Sequence, residues 1–67
     1  KYISLALKSK IEKDSKVSLK DKNNNEIISF ESKDDFKTLI LSNDKIKNNT
    51  YYLYINDEKT DYSVVVK

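Results

Sequence analysis

The sequence predicts an all-β fold, a small antiparallel β-sandwich of about six short strands with an Ig-like or Greek-key arrangement. Apolar residues alternate with polar ones at a period of two through much of the chain, and no apolar pattern recurs at helical spacing. The alternating segments recur at roughly 8–12-residue spacing, as is typical of β-sandwiches and barrels. The 67 residues contain no repeat or linker, so we expect residues 1–67 to form a single domain.

Six segments are predicted as strands because of this alternation or because of their high β-propensity. They are residues 2–8, 16–21, 26–31, 36–42, 50–56 and 60–67. The second and third strands are expected to form one hairpin, and the fifth and sixth strands a second hairpin. The first strand is expected to complete the second sheet by a Greek-key closure.

The connections between these strands are polar. Residues 22–25 contain three consecutive Asn and predict a tight hairpin turn, since Asn tolerates left-handed turn conformations. Residues 32–35 form either a turn or a single helical turn, and residues 57–59 form a short turn. The longer loop 43–49 has Ile46 as its one apolar anchor. Glycine is absent, so every turn that needs a positive φ has to use Asn or Asp.

The inward-facing residues of the strands predict the core. These are Ile3, Leu5, Leu7, Val17, Leu19, Ile28, Phe30, Leu39, Leu41, Tyr51, Leu53, Ile55, Val64 and Val66. A chain of this length buries only about 60% of its unfolded surface, so we expect a thin core and marginal stability.

The charged residues are numerous but nearly balanced, with 13 Lys against 11 Asp and Glu and a net charge of +2. Arg, which contacts phosphates and bases in a bidentate way, is absent, and we expect no nucleic-acid partner. No apolar run approaches the roughly 18 residues of a membrane span, so we expect no membrane insertion. Because the chain begins with Lys1 rather than Met, we expect a processed product or an excised piece.

Groups suited to catalysis are scarce. Cys and His are both absent, which excludes disulfides, thiolate or imidazole metal sites and histidine acid–base chemistry. Asp34 with Asp35, and Asp57 with Glu58, lie in predicted turns, where acids are usually turn formers. We therefore expect no enzyme, no cofactor and no metal site. Calcium stays open, because loop aspartates offer oxygen ligands without an EF-hand spacing: Asp14, Asp21, Asp44, Asp57 and Asp61.

Three tyrosines form the candidate ligand-binding site. Tyr52 and Tyr54 lie two residues apart on one predicted strand, and Tyr62 lies on the next strand of the same hairpin. Tyrosines in line on a sheet offer flat apolar rings to a sugar while their hydroxyls reach its polar groups. The alternative is that they are cross-strand aromatic pairs, or the second buried face of a central strand, and only stabilise the sheet.

From Val17 onward the sequence resembles a known family pattern. The matching segments are Ser18-Leu19-Lys20-Asp21, Asn25-Glu26-Ile27-Ile28-Ser29-Phe30, Ser32-Lys33, Phe36-Lys37-Thr38-Leu39-Ile40-Leu41-Ser42, Ile46-Lys47 and Thr50-Tyr51-Tyr52-Leu53-Tyr54. Together they resemble the C-terminal β module of clostridial-type secreted carbohydrate-binding-domain proteins, in which a long parallel β-helix precedes the module. The resemblance implies a secreted or cell-surface polysaccharide binder.

The sequence departs from that family at two points. The family carries Gly in hairpin turns where this chain has Asn25, Asn49 and Asp57, which are residues that tolerate positive φ. The β-helix is absent from these 67 residues, so sugar binding that belongs to the β-helix would leave this piece an accessory or structural role.

These observations predict a non-catalytic extracellular or cell-surface module that binds polysaccharide through Tyr52, Tyr54 and Tyr62. The alternative is a structural module or filament subunit that assembles with copies of itself through strand exchange or edge pairing. The polar connection 9–15 allows the first strand to pair within its own chain, which is the default, or with a neighbouring copy. A designed β-protein without a ligand is the third hypothesis.

Overall fold

A computed structural model describes all 67 residues and contains six strands and no helix. The strands are β1 (Tyr2–Ile11), β2 (Lys16–Asp21), β3 (Glu26–Glu31), β4 (Phe36–Ser42), β5 (Asn49–Ile55) and β6 (Glu58–Val66). The predicted all-β class is confirmed, and β2, β3 and β4 occupy the predicted residues. β1 is longer than predicted, because Ile11 still pairs with Phe36 across an irregularity in the register. No helix of the length and apolarity needed to cross a membrane is present.

The strands form two antiparallel sheets. The four-stranded sheet has the order β3-β2-β5-β6, and the two-stranded sheet pairs β1 with β4. Both predicted hairpins are present, and the pairing of β2 with β5 joins them into one sheet. The first strand completes the second sheet by pairing with β4 of its own chain, where Leu5 lies opposite Leu39. The arrangement is that of a small sandwich.

The core lies between the two sheets, and both contribute to it. Of the fourteen predicted core residues, eight are buried and the other six are partly buried against them. The first cluster consists of Ile3, Leu19, Ile46, Tyr51 and Val66. The second consists of Leu7, Val17, Leu39 and Leu53. Ile46, predicted only as the anchor of its loop, is thus a core residue.

The β5–β6 hairpin turns on two residues with positive φ. Asn56 and Asp57 have φ values of 52° and 66°, the positive pair expected of a two-residue type I′ turn. The turn predicted at residues 57–59 is therefore wrong in position, because Glu58 and Lys59 already pair with β5. Asn56 also accepts a hydrogen bond from the backbone N–H of Lys16 at 2.9 Å, which ties the turn to β2.

The other residues with positive φ are also an Asn and an Asp, as the absence of Gly requires. They are Asn24, at 66° in the β2–β3 turn, and Asp14, at 70° in the β1–β2 connection. Asn25 and Asn49, two of the residues at which the resemblance implies a turn with positive φ, have no positive φ. Asn49 instead begins β5, where the backbone is extended.

A buried serine joins two connections, and nothing in the sequence pattern reveals it. The Ser32 hydroxyl donates to the Glu12 carbonyl at 2.8 Å and accepts from the Ser15 backbone N–H at 3.2 Å. The Ser32 N–H also donates to the Ser15 carbonyl at 2.9 Å. Residues 32–35 accordingly form a bend and not the alternative helical turn.

Three aspartates stabilise the connections by accepting hydrogen bonds at their carboxylates. Asp21 accepts from the Asn25 N–H at 3.0 Å, Asp35 from the Lys13 N–H at 2.8 Å, and Asp57 from the Lys16 ammonium at 2.8 Å. A hydrogen bond to a carboxylate favours its charged form. These bonds, as the largest cause in each case, lower the pKa of all three carboxyls.

We expect acid to destabilise the protein through these carboxyls. A carboxyl whose folded pKa lies below its unfolded value of about 3.9 stabilises the fold above that pH, and the effect is lost as the pH falls through the folded pKa. The urea midpoint should therefore stay level from about pH 7 to about pH 5 and fall below about pH 4. The variant Asp21→Asn removes one titration and should show a smaller fall. A midpoint that rises on acidification would contradict this account.

Candidate functional site

Strand β5 lies inside the four-stranded sheet, between β2 and β6, and its residues alternate between the two faces. Tyr51 and Leu53 are each 1% exposed and belong to the core. Tyr52 and Tyr54 therefore lie on the opposite, outer face, because successive residues of a strand point to opposite sides. Both are half-buried. The structure thus brings together two of the three tyrosines predicted as a ligand site.

Two lysines of the neighbouring strands cover these tyrosines. Lys20 of β2 is the register partner of Tyr52, yet its ammonium lies 4.5 Å from the centroid of the Tyr54 ring. Lys59 of β6 is the register partner of Tyr54, and its ammonium lies 4.4 Å from the centroid of the Tyr52 ring. Each ammonium group therefore lies over the tyrosine that is two residues along β5 from the lysine's own register partner. We call Lys20, Tyr52, Tyr54 and Lys59 together the tyrosine–lysine face.

The polar groups of the tyrosine–lysine face have no hydrogen-bonding partner within the protein. The tyrosine hydroxyls that do form hydrogen bonds belong to Tyr51 and Tyr62. The protein has two ion pairs, Lys10 with Asp35 and Lys16 with Asp57, and neither involves Lys20 or Lys59. Two phenol hydroxyls and two ammonium groups on this face are therefore available to a ligand.

At the edge of this face near the β5–β6 turn, an ion pair neutralises the charge of a third lysine. The Lys16 ammonium lies 2.8 Å from the Asp57 carboxylate. Their hydrogen bond raises the pKa of Lys16 and lowers the pKa of Asp57. The positive charge of Lys20 adds to the lowering of the Asp57 pKa, as the smallest of its causes. The unpaired cations of the face are therefore Lys20 and Lys59.

Tyr62 does not lie on the tyrosine–lysine face. Its ring packs against the second core cluster, and its hydroxyl accepts a hydrogen bond from the Lys8 backbone N–H at 2.6 Å. Lys8 belongs to β1 in the other sheet, so the Tyr62 side chain bridges the two sheets at their edges. A platform in which all three tyrosines are aligned is therefore incorrect. Alternation along β6 places Tyr62 on the same side as Val64 and Val66, which are both predicted core residues, so the sequence pattern itself indicates an inward orientation for Tyr62.

Ser18 is a buried polar residue beneath the tyrosine–lysine face. Its register partners are Ser29 on β3 and Tyr54 on β5, so it lies on the outer side of the sheet. It is nevertheless only 1% exposed, and its hydroxyl has no hydrogen-bonding partner. Buried polar side chains are usually paired, so this hydroxyl is an exception that calls for an explanation.

A shallow depression adjoins the face at the outer edge of β6. It is lined by Lys8, Lys59, Thr60, Asp61 and Tyr62. Lys59 thus contributes both to the tyrosine–lysine face and to this depression.

The acidic residues do not converge. No group of three or more Asp or Glu side chains is arranged to hold a metal ion. The five aspartates considered as calcium ligands from the sequence therefore form no such group; Asp21 accepts a hydrogen bond within its turn, and Asp57 is paired with Lys16 of β2.

Comparison with known proteins gives no match: no family model, no curated protein and no solved structure matches this chain. The description of the site therefore depends on its own geometry. Sequence reasoning missed Lys20 and Lys59 as site residues. Alternation places Lys20 on the outer side of its strand, but only the pairing of β2 with β5 brings it to Tyr54.

Proposed function

We propose that the chain is a non-catalytic module that binds polysaccharide on the tyrosine–lysine face. The observation that supports this most is the pair Tyr52 and Tyr54, which lies outside both core clusters and has two hydroxyls free of protein partners. Aromatic rings stack on the apolar faces of sugars, and phenol hydroxyls exchange hydrogen bonds with sugar hydroxyls. The rings are spaced roughly 7 Å apart along the strand, which suits a ligand of more than one unit.

The setting proposed for this activity is the cell surface or the extracellular medium. The family resemblance of residues 17–54 supports it, because that family consists of secreted polysaccharide binders. In such proteins a module of this size accompanies a larger binding domain. The present face would then add a second point of attachment to the polymer, which raises overall avidity without any new contact elsewhere.

The double variant Tyr52→Ser, Tyr54→Ser tests this proposal. We expect it to lose retention on insoluble polysaccharides in a panel of cellulose, chitin, xylan and cross-linked pectate, because both rings are gone. The matched control is Tyr2→Ser, since Tyr2 is 68% exposed and belongs to the other sheet. Retention by the control and loss by the double variant would support the proposal.

Two results would contradict the proposed site. Unchanged retention of the double variant would remove both tyrosines from the binding site. If the double variant loses both the far-ultraviolet β signal and its retention on polysaccharide, the tyrosines act by stabilising the sheet, as cross-strand pairs do. In that second case Tyr52→Phe, Tyr54→Phe keeps the rings and isolates the hydroxyls.

Self-association by strand exchange or edge pairing stays a prediction. In this structure β1 pairs with β4 of its own chain, and its Ile3 and Leu7 are buried in the two core clusters. The edges of β3 and β6 have no neighbouring strand.

A further inference from the structure

We propose that the protein forms a two-fold symmetric dimer, in which the free edge of β1 pairs antiparallel with β1 of a second copy. Each β1 keeps its own partner β4, so the two small sheets join into one sheet of four strands. The dimer does not depend on polysaccharide binding, because β1 and the tyrosine–lysine face belong to different sheets. It assigns a particular edge to the edge pairing that the sequence predicts as an alternative.

One edge of β1 has no neighbouring strand. The small sheet contains only β1 and β4, and no backbone hydrogen bond outside the paired strands involves residues 2–8. The Tyr62 hydroxyl accepts from the Lys8 N–H and closes the edge at that end. Residues 2–7 therefore form an open stretch of edge, and the unpaired backbone groups of such a stretch are a template for another strand.

The open stretch lacks the charged residues that protect other edges. Residues 2–7 carry no charge, although 36% of the chain is charged. Natural edge strands are commonly protected by charged side chains, above all by Lys. In the four-stranded sheet, β3 begins with Glu26 and ends with Glu31, and β6 begins with Glu58 and Lys59. The edges of that sheet are thus protected, whereas the edge of β1 is not.

The large apolar side chains that the structure leaves exposed lie around this stretch. They are Tyr2, Ile40 and Val65, with exposed fractions of 68%, 67% and 59%. Tyr2 belongs to the stretch itself, and Ile40 of β4 is the register partner of Ser4. Val65 lines a groove between β1 and β6 together with Tyr2 and Ser4. In a two-fold pair the grooves of the two copies face each other, so apolar surface of both copies leaves water.

A second copy fits this edge because the stretch is complementary to itself. With the two-fold axis at Ser4, Tyr2 lies opposite Ala6 of the second copy, so a large side chain meets a small one. The two Ser4 side chains meet at the axis without a conflict of size or charge. Lys8 stays outside the pairing, so its hydrogen bond to Tyr62 is kept. Such an isologous contact is the commonest arrangement in homo-oligomers.

The free edge of β4 is the main competitor, because residues 38–42 are also uncharged. The depression next to the start of β4, however, is lined by Glu31, Lys33 and Asp34 besides two phenylalanines. A strand added to β4 would meet these charges. The groove beside β1 has only the two terminal lysines as charged residues. The surroundings therefore favour β1.

The small size of the contact predicts a weak dimer. A standard stable interface has about 20–30 residues on each side, whereas pairing over one short strand involves about ten. Interfaces below about 1,200 Å² are typical of transient complexes. We therefore expect a dissociation constant on the order of 10⁻⁴ M, with the mean mass rising toward two chains between about 10 μM and 1 mM.

Sedimentation velocity over this concentration range, with two matched variants, tests the proposal. Ser4→Lys places two ammonium groups opposite each other at the axis and should raise the dissociation constant about fivefold or more. Thr38→Lys has the same net charge and also changes an exposed residue of the small sheet, but on β4. We expect Thr38→Lys to dimerise as the unchanged protein does.

Cross-linking locates the axis and remains informative if Ser4→Lys does not fold. The chain contains no Cys, so Ser4→Cys introduces one thiol in each copy. Side chains directly opposite on antiparallel strands have Cβ atoms about 4.5–5.5 Å apart, close to the roughly 3.5–4.5 Å of a disulfide. Mild oxidation of the concentrated protein should therefore convert Ser4→Cys into a covalent dimer much faster than Thr38→Cys.

Four results would overturn the proposal. The unchanged protein may not stay monomeric at about 1 mM, well above the expected dissociation constant. Equal weakening by Ser4→Lys and Thr38→Lys would place the contact on the outer side of the small sheet, and weakening or faster cross-linking at Thr38 alone would place it on β4. A mean mass that grows beyond two chains would indicate an open filament in place of a closed pair.

Discussion

Replacing Tyr51 by Ala is expected to destabilise the protein by about 3–5 kcal/mol, the range found when a buried aromatic side chain is removed from a core. Tyr51 is 1% exposed and is the largest fully buried side chain. It packs in the first core cluster with Ile46, and its hydroxyl accepts from the Lys47 N–H at 2.8 Å and donates to the Lys47 carbonyl at 3.2 Å. Its loss therefore opens the core and frees the loop between β4 and β5.

Urea unfolding measures this loss. A domain of this size has a total stability of about 3–10 kcal/mol, so Tyr51→Ala should remove at least about a third of it. Tyr51→Phe keeps the ring and removes only the two bonds to Lys47, and we expect it to cost about 0.5–1.5 kcal/mol. The control is Tyr52→Ala on the next residue, which should cost about 1 kcal/mol or less because Tyr52 lies on the outer face. Similar losses for Tyr51→Ala and Tyr52→Ala would contradict the assigned faces.

Leu53→Ala is expected to cost about 2–5 kcal/mol. Leu53 is 1% exposed and lies in the second core cluster with Val17, Leu7 and Leu39, which come from both sheets. Removing its side chain leaves a cavity where the two sheets meet, and the neighbouring strands are fixed by their pairing and cannot collapse fully. The loss should therefore lie toward the upper part of the range.

The matched control for Leu53→Ala is Ile40→Ala. Ile40 is also a large aliphatic residue on a strand, but it is 67% exposed on the two-stranded sheet. Its replacement should change the free energy of unfolding by no more than about 0.5 kcal/mol. Chemical denaturation of both variants under the same conditions decides the matter. If Ile40→Ala and Leu53→Ala cost the same free energy of unfolding, the assignment of Leu53 to the core and of Ile40 to the exposed face would be wrong.

The strands and most of the core could be predicted because both depend on a local pattern. Alternation at a period of two assigns each side chain to a face without knowledge of the partner strand. Leu19 and Leu53 were assigned in this way, and they are buried opposite each other on β2 and β5. The turn residues followed from composition, since only Asn and Asp were available for positive φ.

Features that depend on long-range contacts could not be predicted. Ser32 joins Glu12 and Ser15 from another connection, and a serine in a polar stretch gives no sign of this. Ile46 lies in a loop without periodicity, so its burial depends on the sheets that close over it. The position of the β5–β6 turn depends on which residues pair across the hairpin, and Glu58 pairs with Ile55.

Two of the four residues of the tyrosine–lysine face could be predicted from the sequence. Tyr52 and Tyr54 share a strand, so their common face follows from alternation alone. Alternation with Val64 and Val66 also indicates that Tyr62 faces inward, and only its hydrogen bond to the Lys8 N–H of β1 needed the structure. Lys20 and Lys59 are distant in sequence from the tyrosines they cover, and only the order β2-β5-β6 brings them together.

The most direct test of the account is a nuclear magnetic resonance titration of the ¹⁵N-labelled protein with soluble oligosaccharides of cellulose, chitin, xylan and pectate. If the tyrosine–lysine face binds the polymer, amide shifts should concentrate in residues 16–20, 50–56 and 58–63, while β4 and the outer side of β1 stay unchanged. The side-chain resonances of Tyr52 and Tyr54 should move with the same affinity. Shifts that cluster on β1 and β4, or no shift at millimolar ligand, would contradict the central claim.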